Sequence, residues 1–168
     1  DLMGHSYAEK RLTLLDFFSF IFGQLNETQK SILDRAINET YKKVGITPSH
    51  YMKIKPPMLR DVYETLRTME RRASGFEKTT FMSLRNRLEM YVDGAFSFLN
   101  KETKIDLNKP FIVFNLGTVH KQIKPVMMFL ILDYIYTQMK QDKERKLLVI
   151  DEAWWLMKNE DGASFLFG

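Results

Sequence analysis

The stretch that decides our prediction of the fold is Leu147-Leu148-Val149-Ile150-Asp151-Glu152-Ala153-Trp154-Trp155. Four apolar residues end abruptly in two carboxylates, and a helix-compatible run follows. A short, continuous apolar run of this kind is typical of a parallel β-strand that is buried on both faces. The sequence therefore predicts a buried strand over residues 147–150, with an acidic pair at its carboxyl end.

A second apolar segment, Phe111 to Leu116, lies upstream and is rich in β-branched and aromatic residues, which buried strands favour. Between the two segments the apolar pattern predicts a helix from about residue 122 to residue 141. Strand, helix and strand make a βαβ unit, whose crossover should be right-handed. We therefore expect an α/β domain over residues 106–168.

The first 105 residues show helical periodicity instead. Helices are predicted at about 8–22, from the capping box Asn26-Glu27-Thr28-Gln29 to Gly45, from Pro57 to near Gly75, and at about 78–92. This part of the chain is predicted to be a mainly helical subdomain, so the expected order is helical subdomain first and α/β segment second.

Composition limits the class of protein. At 45% hydrophobic residues the 168-residue chain can bury a core, and its lack of Cys excludes disulfides and thiolate metal sites. The three His residues are scattered, which argues against a metal centre built on His. The lack of Cys also fits a cytoplasmic protein, which is what we expect. No segment reaches the length of a membrane span, and no signal peptide is visible. Both ends look like cuts in a longer chain.

The acidic pair carries the predicted chemistry. In an open α/β sheet, ligands bind beyond the carboxyl ends of the strands, where Asp151 and Glu152 would fall. In a Walker B motif the Asp would bind Mg²⁺, directly or through water, and the Glu would orient and polarise the attacking water. The alternative is that both acids only complement the dipole of the next helix. No Gly in the chain is followed by Lys, so the phosphate-binding loop is absent and the sequence predicts half of a nucleotide site.

A basic region forms the second candidate site. Residues 53–87 hold nine Lys or Arg and four Asp or Glu, so their net charge is +5, against +4 for the whole chain. The candidate contacts to nucleic acid or a protein partner are Arg60, Arg67, Arg71, Arg72, Arg85 and Arg87. The alternative is a solvated helix face whose charge is partly neutralised by neighbouring acids. This alternative is favoured, because the sequence shows no aromatic platform on which bases could stack.

The stretch from Leu148 to Trp154, with Leu156 beyond it, resembles the Walker B region of the TraC/VirB-type ATPases of conjugation and type IV secretion, in the FtsK–HerA superfamily. The segment Phe111 to Leu116, followed by Gly117-Thr118, is similar to the family's preceding strand. The pattern of Gly23-Gln24 and of Ile37 to Ile46 resembles the helical insertion between the two Walker motifs.

The resemblance implies a partial RecA-like ATPase domain with a helical subdomain, acting as a hexamer or dimer. It implies ATP and Mg²⁺ as cofactors, with Asp151 matching the metal-binding acid and Glu152 the catalytic acid. It also implies that the protein lies at the inner face of a bacterial membrane, where other secretion-channel components are its partners. The Walker A motif of such a protein would lie before residue 1, so the chain alone is expected neither to bind ATP tightly nor to hydrolyse it.

Two other functions remain open at this point. One is a non-enzymatic helical adaptor that binds nucleic acid or a protein through residues 53–87. The other is a DNA-pumping relative within the same superfamily, which Asp-Glu-Ala-Trp disfavours. Whatever the function, two strands with unpaired edges predict that this chain self-associates, swaps elements or pairs with the remainder of its protein.

Overall fold

The computed structural model describes residues 7–50, 54–102, 109–141 and 145–151. Those residues form five α-helices and one short 3₁₀ helix: α1 (Tyr7–Phe22), α2 (Glu27–Lys43), α3 (Leu59–Glu70), α4 (Gly75–Val92), the 3₁₀ helix Ser97–Leu99, and α5 (Lys124–Gln141). The chain divides into two compact units, Asp1–Val113 and Phe114–Gly168. The domain boundary predicted near residue 105 stays a prediction.

The predicted α/β fold is wrong. Within the described ranges no residue belongs to a β-strand, and the only β-pairing there is an isolated antiparallel bridge between Thr47 and His50. Among the residues that the structure describes, the predicted βαβ unit is absent, and with it the partial RecA-like arrangement. Of its three predicted elements, only the helix is found, as α5.

The two segments predicted as strands are exposed and lack regular secondary structure. Phe111 and Val113 are 83% and 71% exposed, and Leu147 and Val149 are 90% and 80% exposed. A strand exists only when a neighbouring strand supplies partners for its N–H and C=O groups, and no described residue does so here. Apolar composition predicted burial, but it does not create the neighbour that a strand needs.

The helical predictions are confirmed, and α2 shows why. The Asn26 side chain accepts a hydrogen bond from the Gln29 backbone N–H at 2.9 Å, and the Gln29 side chain accepts one from the Asn26 N–H at 3.1 Å. This is the capping box that the sequence predicted. At the other end, Gly45 has φ +81°, a left-handed conformation that glycine adopts without strain.

The core of the first unit is made by apolar faces of α1 to α4. Side chains that are almost fully inaccessible come from each of these helices: Phe18, Leu33, Ile37, Leu66, Phe81, Leu84 and Leu88. Helices α3 and α4 form a hairpin joined by residues 71–74, and they make the most extensive helix pair of this unit. This hairpin carries most of the predicted basic region, so its packing decides which cations remain accessible.

In the second unit, α5 buries Val126, Leu132 and Thr137, and Ile123 is buried just before the helix begins. The helix carries other large side chains in partly exposed positions. None of the helices in the described residues is long and apolar enough to cross a membrane.

Candidate functional site

Asp151 follows residues 147–150, which have no regular secondary structure, and it lies in a turn and is exposed to solvent. Glu152 and the Ala-Trp pair beyond it lie outside the described residues. The roles that the sequence predicted for the two acids therefore stay predictions.

The described residues supply a limited set of ligands for a metal ion. No group of three or more His, Asp or Glu side chains comes together anywhere in the described parts of the chain. Mg²⁺ in nucleotide sites is typically held by one or two carboxylates together with phosphate oxygens and water, and not by an all-protein cage. A single accessible carboxylate at Asp151 is compatible with that mode of binding, because the nucleotide would provide the other ligands.

The segment before α5 contains polar residues that turn the chain. The Asn115 side chain accepts a hydrogen bond from the Gly117 backbone N–H at 2.9 Å. Asn commonly bonds its own backbone two residues on, and such bonds form tight turns. The structure therefore assigns Asn115 a local role in the loop.

The basic region divides into arginines that hold the helices together and arginines that face solvent. Arg60 belongs to the first group. Its guanidinium forms an ion pair with Asp93, just beyond the end of α4, and its backbone N–H donates to the Asn100 side chain at 3.1 Å. These contacts join the start of α3 to the end of α4 and the 3₁₀ helix. The ion pair with Asp93 also compensates the positive charge of Arg60.

Three of the candidate arginines form an ion pair within the described chain, and Arg85 is the most enclosed of the three. Its Nε donates to Glu70 at 2.7 Å, its Nη1 donates to the Tyr63 hydroxyl at 3.2 Å, and its guanidinium carbon lies 5.8 Å from the centre of the Tyr63 ring. The hydrogen bond to Glu70, followed by the bond to Tyr63, raises the pKa of Arg85 above its ordinary value. Because these partners sit on α3, Arg85 joins the two helices of the hairpin.

Arg87 closes the end of α1. Its guanidinium donates to the Phe22 carbonyl at 3.3 Å, and the nearby Tyr91 hydroxyl donates to the Ile21 carbonyl at 3.3 Å. The last carbonyls of a helix have no partner within the helix, so donors from α4 satisfy two of them. Arg87 therefore has a structural role.

The remaining candidates face solvent. Arg67 pairs with Glu64 at 3.4 Å across one turn of α3, an exposed contact of small energy. Arg71 and Arg72 follow α3, and their exposed side chains make no ion pair or side-chain hydrogen bond with the rest of the described chain. The predicted basic region is thus not one surface, and its accessible charge is concentrated at the hairpin turn.

The hairpin turn also exposes an aromatic residue that was not predicted from the sequence. Phe76, in the first turn of α4, is 74% exposed and lines an open groove of about 440 Å³ between the starts of α2 and α4. Ile32 lies in the same groove, and an ion pair between Arg35 and Glu77 spans it. One signal was available: Phe76 lies off the apolar stripe of Phe81, Leu84 and Leu88.

Comparison with known proteins places the chain in a family. The model of the TraG P-loop domain matches residues 24–167, which is most of the chain and includes both Asp151 and Glu152. The chain belongs to the TraG P-loop domain family. This finding confirms the family resemblance that was predicted from the sequence.

The chain is also similar to a solved structure. The chain matches the structure of VirB4 of Thermoanaerobacter pseudethanolicus with a TM-score of 0.80 and 28% sequence identity, over 95% of this chain. The match covers 61% of the VirB4 chain, so the chain spans about three fifths of that protein's length. No curated protein matches.

Proposed function

We propose that the protein to which this chain belongs is an ATP-hydrolysing motor that energises type IV secretion or conjugative transfer. Asp151 and Glu152 would be its metal-binding and catalytic acids. The observation that carries the proposal is the match of residues 24–167 to a P-loop domain family, because that match includes both acids. The likeness to VirB4 at 28% identity supports the assignment to secretion.

Asp151 would hold Mg²⁺ through its accessible carboxylate, either directly or through a bound water. When bound, Mg²⁺ neutralises negative charge that builds on the phosphates during transfer. The chain's own contribution is to place a carboxylate in a solvent-accessible turn directly after an apolar segment.

Glu152 would accept a proton from water and orient the water toward the terminal phosphate. In this proposal Asp151 binds the metal and Glu152 transfers the proton. Mutation can distinguish the two roles, since loss of the base at Glu152 should leave nucleotide binding intact.

The test is Glu152→Gln in the full-length protein. We expect the rate of ATP hydrolysis to fall by at least about 100-fold, because general-base catalysis contributes on that order. ATP binding should be unchanged, since the substitution leaves Asp151 in place. Turnover by phosphate release and affinity by calorimetry give the two readouts.

Glu89→Gln is the matched control, because Glu89 is an exposed carboxylate on α4, in the other unit. It should leave both turnover and binding unchanged. Hydrolysis by Glu152→Gln at the rate of the unmodified protein would remove Glu152 from the mechanism.

The partners follow from the same proposal. The protein would act as a hexamer or dimer, with other secretion-channel components at the inner face of a bacterial membrane. The 168-residue chain by itself is expected to bind ATP weakly, because no Gly-Lys-Ser/Thr loop occurs in it. An adaptor function through residues 53–87 is less supported, since Arg60, Arg85 and Arg87 are used inside the helical unit.

A further inference from the structure

The turn between α3 and α4 carries three cations, and the two acids next to them form ion pairs with arginines elsewhere in the unit. Glu70, at the end of α3, pairs with Arg85 at 2.7 Å, and Glu77, at the start of α4, pairs with Arg35 of α2. Arg71, Arg72 and Lys78 are exposed, and none of them makes an ion pair within the described chain. The hairpin turn therefore presents a local positive charge that the described residues do not compensate.

The same turn exposes an aromatic ring. Phe76 is 74% exposed, the highest exposure of any large apolar side chain in the described parts of α1 to α5. Its ring borders an open groove toward α2 that is also lined by Ile32, a buried residue. Aromatic side chains, Phe included, and Arg are enriched at protein interfaces.

We propose that Arg71, Arg72, Phe76 and Lys78, the tip surface, dock an acidic segment of a partner protein that also supplies one apolar side chain. Carboxylates of that segment would pair with the three cations, and its apolar side chain would pack on Phe76 and into the groove beside Ile32. Charge complementarity carries the choice of an acidic partner, because the tip surface has three cations and no free acid among its described neighbours.

A protein segment fits the tip surface better than nucleic acid does. Affinity for nucleic acid grows with the number of phosphates that are neutralised, and three cations on one turn make a small electrostatic footprint. The groove beside them is bordered by the carboxylates of Glu27 and Glu77, so it suits an uncharged apolar group and not an anion of either kind. An acidic peptide with an apolar residue can instead place its charges over the cations and its apolar group in the groove.

The experiment selects binders of the full-length protein from a displayed library of random dodecapeptides. We expect enriched peptides to combine Asp or Glu with a Phe, Leu or Trp. A synthetic copy of the most enriched peptide should lose at least about tenfold in affinity, or about 1.4 kcal/mol, with R71E/R72E and separately with F76S. Because all three side chains are exposed, the variants should keep the melting temperature of the unmodified protein.

K101E/K121E and F98S are the controls, because these residues are also exposed and lie outside the tip surface. They should bind the peptide as the unmodified protein does. Three results would overturn the proposal: the enriched peptides lack acidic residues, no peptide is enriched, or the control variants lose as much affinity as the tip variants.

Binding to an oligodeoxythymidine would also overturn it, if that binding weakens with salt and is abolished by R71E/R72E. That result would assign the surface to nucleic acid. ATP turnover should be unchanged in the tip variants, so this proposal and the catalytic one fail independently.

Discussion

The hairpin of α3 and α4 and the apolar segment at residues 147–150 differ in where their backbone partners lie. The hairpin was predicted correctly from periodicity and turn residues, and it buries Leu66, Leu84 and Leu88 almost completely. The segment was predicted as a buried strand, yet Leu147 and Val149 are 90% and 80% exposed. Both regions contain large apolar side chains, so the presence of such side chains alone does not separate them.

The difference lies in the hydrogen bonds. A helix satisfies its N–H and C=O groups within its own residues, so a local pattern is enough to predict it. A strand needs a second chain segment beside it, and that segment can be anywhere in the protein. The stability of the described chain should therefore rest on the helices of the first unit.

The largest effect should come from the core of the hairpin. Leu84→Ala removes a fully buried side chain and should lower the free energy of unfolding of the 168-residue chain by about 2–5 kcal/mol. Val149→Ala shortens a side chain of the exposed segment and should cost less than about 0.5 kcal/mol. Urea unfolding of both variants measures the contrast, and comparable losses would show that residues 147–150 are buried.

A smaller effect is expected from the arginine that joins α3 to α4. Arg85→Met should cost about 1.5–3 kcal/mol, because Glu70 and Tyr63 lose a charged hydrogen-bond donor. Arg67→Met removes only the exposed pair with Glu64 and should cost between zero and about 1 kcal/mol. Should the two variants prove equally stable in urea, the division of the basic region into structural and accessible arginines would be wrong.

The smallest effect should come from the helix ends. Asn26→Ala removes the side-chain cap of α2 and should cost about 1 kcal/mol. Ser74→Ala changes the N-cap residue of α4, whose side chain makes no capping bond, and should cost less than about 0.5 kcal/mol. Thermal unfolding of the pair is sufficient, and a larger loss for Ser74→Ala would contradict the assigned caps.

The candidate site shows the same limit of sequence reasoning as the fold. The acidic pair was identified from adjacent residues, and the family match includes it. The basic region was treated as one patch because its members are close in sequence. Its division into Arg60, Arg85 and Arg87 on one side and the exposed arginines on the other depends on partners 15 to 65 residues away, which no local pattern contains.

Local sequence was enough to specify the helices, the capping box at Asn26, the left-handed Gly45 and the family, because each depends on residues close together along the chain. Tertiary structure alone decided that residues 111–116 and 147–150 are not strands in the described chain. It also decided that Glu70 and Glu77 pair with Arg85 and Arg35, and so leave the cations of the tip surface uncompensated. The physical reason is that hydrogen bonds and ion pairs between distant residues depend on which neighbours the fold provides.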